Sequence, residues 1–120
     1  MKYLISVVVT TGNNTFASNE AYIQFCTQLP NTQPFTDVEA MTAQFKSDGR
    51  IIENGSNLVI TGNVVTNLRF FRDEDAMTEW KVQWEPYRSQ FESIFDIIGW
   101  TFQCYERVVS DNNEERVVVS

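Results

Sequence analysis

The chain contains no histidine. That absence removes the usual general base near neutral pH, the commonest metal ligand and the proximal ligand of most haem sites. Serine and cysteine triads go with it. Cysteine is scarce: Cys26 and Cys104 fit neither a zinc-ligand spacing nor a CxxC redox pair, and the expectation for both is a buried, reduced thiol. Basic residues are outnumbered, nine Lys and Arg against sixteen Asp and Glu, for a net charge of −7. Such a field repels phosphate backbones, so no nucleic-acid partner is expected. No apolar run approaches the length of a membrane span, and no membrane partner is expected either. Lys2, the run from Tyr3 to Val9 and Ala17 imitate a short leader peptide, but the polar stretch Thr10-Thr11-Gly12-Asn13-Asn14 breaks the imitation. Residues 2 to 10 read instead as a strand and the protein as cytoplasmic, so the sequons at Asn13 and Asn54 carry no glycosylation expectation. No motif for catalysis, metal or nucleotide binding stands out, and no cofactor is implied.

What is present is an ordinary globular composition, 42% hydrophobic and 21% charged over 120 residues, the size of one domain spanning residues 1 to 120. In the first strand Tyr3, Ile5, Val7 and Val9 share one apolar face, while Lys2, Leu4, Ser6, Val8 and Thr10 form a mixed one. Ser18 is placed to cap a short helix carrying Tyr22, Phe25, Cys26 and Leu29, stopped by Pro30. Thr36 and Glu39 have the spacing of a capping box, predicting a second helix from Thr36 with a Val38, Met41 and Phe45 stripe that Gly49 terminates. Residues 50 to 71 read as a hairpin with turns at Asn54-Gly55-Ser56 and Gly62-Asn63. Leu58, Ile60, Val64, Leu68 and Phe70 are expected on one face, with Val65, Asn67, Arg69 and Phe71 on the other.

Asp73 then caps a long helix, its negative charge reinforced by Glu74 and Asp75 at the positive end of the helix dipole. Met77, Trp80, Trp84, Tyr87, Phe91, Ile94 and Ile98 recur at steps of three and four, one register running across Pro86. A proline inside a helix costs about 3 kcal/mol, whereas burying seven large side chains contributes on the order of 10 to 20 kcal/mol. Burial wins, and the pattern predicts a single kinked helix from about residue 74 to 98 with Pro86 on its solvent side. After Gly99, Trp100 to Val109 reads as a strand with Phe102 and Cys104 toward the core and Thr101, Gln103, Tyr105 and Arg107 away. Arg116 to Val119 is β-prone and forms a possible extra C-terminal strand, on this sheet or a partner's. The fold class is therefore α+β, in the order βα(α)ββαβ: a four-stranded antiparallel sheet with helices on one face.

The strings Ser47-Asp48-Gly49-Arg50-Ile51-Ile52, Arg69-Phe70-Phe71-Arg72-Asp73-Glu74-Asp75-Ala76 and Trp84-Glu85-Pro86-Tyr87-Arg88, together with this order, resemble the dimeric α+β barrel superfamily. The likeness covers most of residues 36 to 109 in pattern and points to the small antibiotic-biosynthesis-monooxygenase-like proteins, including uncharacterised ones from marine environmental sequences. It implies a ferredoxin-like protomer whose open sheet face packs on a second copy, hence a homodimer. Characterised relatives include cofactor-independent monooxygenases and haem degraders, with pockets between sheet and helices built on asparagine, tryptophan, tyrosine or histidine. Asn67 and Trp80 are the right residue types, and the lack of histidine argues against the haem-degrading branch.

Two groups of residues are candidates for function. Trp80, Trp84, Tyr87, Phe91 and Trp100, with Cys104 facing them, form a candidate pocket wall for a small, flat apolar ligand, or else plain core. Arg69, Phe71, Gln103, Tyr105 and Arg107, with Asn67, form a candidate dimer face away from the helices. Three readings follow. The first is a small-molecule-binding or interaction module without chemistry, and the second a monooxygenase-like or isomerase-like enzyme needing no cofactor. The third is an acidic interaction protein of viral or host-directed type. A cavity between sheet and helices with a polar group aimed into it separates the enzyme reading from a filled core.

Overall fold

In a computed structural model that describes residues 1 to 52 and 58 to 119, the alternating apolar run at the start of the chain becomes β1 (Lys2–Thr10). Helices α1 (Asn19–Cys26) and α2 (Gln33–Ser47) follow, then the hairpin β2 (Leu58–Thr61) and β3 (Val64–Phe71). The long helix α3 (Glu74–Ile97) leads into β4 (Thr101–Val109) and β5 (Glu115–Val119). The five strands form one antiparallel sheet in the order β2-β3-β1-β4-β5. The C-terminal strand thus pairs with β4 of its own chain, adding a fifth strand to the expected four. Residues of all three helices and of β1, β3 and β4 meet in one buried apolar cluster on one side of the sheet. Among the described residues, no helix is long and apolar enough to cross a membrane.

Local chemistry sets the helix ends. The Ser18 hydroxyl accepts from the Ala21 amide at 3.1 Å, and the Asp73 carboxylate accepts from the Ala76 amide at 2.8 Å, each satisfying a donor that a helix start leaves without a partner. Gly49 and Gly99 follow the ends of α2 and α3 at φ +75° each, a left-handed conformation that stops a helix cheaply only at glycine. Helix α2 departs from expectation: it begins at Gln33, with Pro34 in its first turn, where the missing N–H costs nothing. Thr36 therefore lies inside the helix, its hydroxyl donating to the Thr32 carbonyl at 3.3 Å, and the capping box does not form. Helix α3 runs unbroken through Pro86, which is exposed, and buries Met77, Trp80, Trp84, Phe91 and Ile94 as the spacing predicts. It also buries Phe95.

The register of β3 is where the hairpin differs from the sequence reading. Its two-residue turn at Gly62-Asn63 pairs Thr61 with Val64 and Leu58 with Asn67, so even-numbered positions of β2 share a face with odd-numbered ones of β3. Pairing with β1 enforces the same choice, setting Ile5 opposite Arg69 and Tyr3 opposite Phe71. Val65, Asn67, Arg69 and Phe71 consequently lie on the helix side, and Val64, Leu68 and Phe70 on the open side. The turn expected at Asn54-Gly55-Ser56 lies outside the described residues.

Candidate functional site

Between the sheet and the helices lies a cavity of about 760 Å³. Its floor is the helix side of β1 and β3, with Val7, Val9, Val65, Asn67 and Arg69, joined by Phe102 from β4. One wall is α3, which contributes Trp84, Phe91 and Phe95. The other walls come from the buried Tyr22 and Cys26 of α1 and from Phe35 and Val38 of α2. Exposed residues at the edge, Ile23 on α1 and Thr27 just after it with Glu39, Ala43 and Lys46 on α2, set its mouth between these two helices. A volume of this size matches the pockets that proteins use for small organic ligands, which are mostly apolar with a few polar groups.

The polar groups differ in what they have left to offer. Hydroxyls of Thr27, Thr36 and Thr42 donate to the carbonyls of Gln24, Thr32 and Val38, at 2.6, 3.3 and 2.7 Å, and so are already engaged by their own helices. Tyr22 and Cys26 sit against one another, and burial pushes both upward, the thiol to about 11 and the phenol higher. Both are neutral at physiological pH, so neither is a ready base or nucleophile. Arg69 is different. Its guanidinium lies 4.8 Å from the centroid of the Trp80 ring, its Nε is buried without a hydrogen-bond partner, and no carboxylate pairs with it among the described residues. Arg50, whose Nε is likewise without a partner, differs in its other two nitrogens, which hold Asp48 and Glu79 at 2.6 Å each. On the strand across β1, Glu106 is already paired with Lys81 at 2.5 Å.

Of the residues expected to wall a pocket, Trp84 and Phe91 do so, stacked with ring planes 12° apart. Trp80 does not line the main cavity; it packs edge-on against Phe45 and borders a recess of only about 60 Å³ with Cys104. Trp100 is solid core, stacked on Phe25 at 5.2 Å with its Nε1 donating to Asn14 at 3.1 Å. Tyr87 is half-buried against the core cluster, outside the cavity lining. Cys104 and Cys26 are both buried thiols that are not joined in a disulfide. The candidate dimer face is divided by the sheet: Gln103, Tyr105 and Arg107 lie on the open side, but Arg69 and Phe71 lie on the helix side with Asn67. The cause is the hairpin register described above.

The chain matches no protein-family model, no curated protein and no solved structure.

The cavity floor went unread in the sequence because Asn67 and Arg69 are polar residues at inward positions. The signal that locates them is the two-residue turn at Gly62-Asn63, which shifts the pairing parity by one and turns these side chains toward the helices. Among the described residues no three His, Cys, Asp or Glu side chains converge on a point. What the arrangement offers is a half-open, largely aromatic cavity with a cation and an amide on its floor.

Proposed function

We propose that this protein binds a small organic molecule in the cavity between its sheet and helices, as a homodimer of ferredoxin-like protomers. The observation that carries the reading is the cavity itself, about 760 Å³, walled by aromatic side chains. A filled core at this position would remove it. Strand order β2-β3-β1-β4, with helices connecting β1 to β2 and β3 to β4, supports the ferredoxin-like assignment, β5 being an addition at the edge. The dimer rests on the open sheet face, where Leu4 and Ser6 are buried but Val8, Leu68, Phe70 and Tyr105 remain half-exposed. Nile red, a neutral dye that brightens in apolar surroundings, tests the binding reading: saturable binding to the folded protein is expected. Its absence would remove the reading.

Enzymatic use of the cavity is the second reading, as a cofactor-independent monooxygenase-like or isomerase-like activity. Asn67, of a residue type that the resemblance implies, lines the cavity opposite Val7. Oxygen uptake in the presence of an electron-rich phenol measures it. A rate no faster than the spontaneous one would remove the monooxygenase-like activity.

A further inference from the structure

We propose that the cavity selects organic monoanions, an apolar body bearing a single carboxylate, with Arg69 as the group that pairs with the charge. The inference rests on the small-molecule reading above and names the class of ligand. Four observations carry it. Arg69 lines the cavity from the floor, while the aromatic residues Trp84, Phe91 and Phe102 supply surface for an apolar body. Its Nε has no partner, and no described carboxylate pairs with it. Glu106, an acid on the same side of the sheet, is bound to Lys81. Position and orientation are fixed: β3 pairs Arg69 with Ile5 in the middle of the sheet, and the guanidinium rests on the Trp80 ring.

A buried charge without a partner is costly, and proteins ordinarily pair it or let it shed its proton. Burial pushes the Arg69 guanidinium down to about 10, which still leaves it charged at neutral pH. Arg69 is half-buried, with part of its surface open to the cavity, so a ligand that enters can supply the partner that no described carboxylate provides. A planar fork of N–H donors matches a carboxylate, and charge-assisted hydrogen bonds of this kind are about twice as strong as neutral ones. Asn67, two residues along the same strand and facing the same way, adds an amide that can donate to the ligand's polar end. The protein's net charge of −7 opposes an approaching anion, but exposed charges more than about 8 Å away are screened at physiological salt. Lys46 and Glu39, two turns apart on α2, leave the mouth with one charge of each sign.

Isothermal titration of the full chain with 6-phenylhexanoate, 6-phenylhexanamide and 6-phenylhexylammonium tests the inference, because the three share a body and differ in charge. The carboxylate is expected to bind roughly tenfold or more tighter than the amide, and the ammonium more weakly than either. Arg69→Met is expected to bring carboxylate and amide within about twofold of each other while leaving the amide's affinity in place; Arg69→Lys, which keeps the charge without the fork, should retain a reduced preference. Equal binding of carboxylate and amide by the native protein overturns the anion selectivity but leaves the cavity a binding site. Equal loss of both in Arg69→Met shows a structural arginine and overturns it too. Should Arg69→Met not fold, the three-ligand comparison on the native chain decides alone. Failure of all three ligands to bind overturns the small-molecule reading and this inference together.

Discussion

The Arg69 guanidinium lies over the Trp80 ring, 4.8 Å from its centroid, on the side of the sheet where the helices pack. Attraction between a cation and an aromatic face is worth about 0.5 to 2 kcal/mol. Withdrawing a lone charge from water costs on the order of several kcal/mol. The ring therefore holds the half-buried arginine in place without fully compensating its withdrawal from water, and no carboxylate among the described residues matches its charge.

It follows that the two members of this contact respond oppositely to truncation. Trp80 is 2% exposed and packs on Phe45 and Phe71, so Trp80→Ala should cost about 3 to 5 kcal/mol. Arg69→Met, with no ligand present, should leave stability unchanged or raise it, because an apolar residue replaces an unpaired charge. Urea denaturation of both variants measures the contrast. A loss above about 1 kcal/mol in Arg69→Met would sink the unpaired-charge interpretation.

Phe70 and Phe71 make a second contrast, since adjacent residues on β3 face opposite ways. Phe71 is 2% exposed and belongs to the core, so Phe71→Ala should destabilise the fold by about 3 to 5 kcal/mol. Phe70 lies on the open face with Leu68 and, across β1, Arg107. Phe70→Lys should leave the fold intact and convert a dimer to a monomer, read by size-exclusion chromatography with light scattering. A native protein that is already monomeric would refute the proposed assembly.

How much of this was legible beforehand depended on whether local chemistry or pairing decided the outcome. The extent of α3 and most of its buried stripe were readable, though not Phe95, because its cap at Asp73, its spacing from Met77 to Ile94 and the exposed position of Pro86 are all local. The odd-numbered face of β1 was readable for the same reason. Helix α2 was placed three residues late because Thr36 and Glu39 have capping-box spacing, while Pro34 is equally suited to a first turn. The face of β3 was inverted because its even positions Val64, Leu68 and Phe70 are the more apolar set. Pairing with the apolar face of β1 overrode that pattern, and it did so at Asn67 and Arg69, where the cavity lies. Sequence rules tend to fail where function has claimed a position.

Ala43 is exposed on α2 and lines the cavity mouth. Ala43→Trp should block entry, weakening Nile red binding by about tenfold, while changing stability by only about 0.5 kcal/mol through helix propensity. Thermal melts and dye titration on the same sample check both halves. Undiminished binding would place the dye elsewhere.

Asp73 caps α3, and its carboxylate is held below the usual range by the hydrogen bond from the Ala76 amide and by Arg72. An acid lowered on folding contributes stability that is present above its unfolded value, about 3.9, and is lost as pH falls through the folded one. The melting temperature should accordingly fall below about pH 4. Asp73→Asn keeps a capping oxygen but cannot titrate, and should show a shallower acid limb. Identical limbs in the two proteins would remove Asp73 as a contributor.

At the other end of the scale, burial pushes the Cys26 and Cys104 thiols from 9.0 to about 11. An acid raised on folding stabilises below its unfolded value and loses that contribution as pH rises toward the folded one. Stability should decline between about pH 9 and 11, and native thiols should react with iodoacetamide at neutral pH far more slowly than unfolded ones. Mass spectrometry of labelled protein distinguishes the two states. Prompt native labelling at either cysteine would contradict its burial.

Every residue of β5 is exposed, including Val117, Val118 and Val119, so this strand adds little to the core. Its backbone instead occupies the hydrogen-bonding edge of β4, a ready template for another molecule's strand. Glu115–Val119 thereby makes β5, rather than β4, the outer strand of the sheet on that side. A chain trimmed before Glu115 should still fold, yet precipitate sooner as its concentration rises.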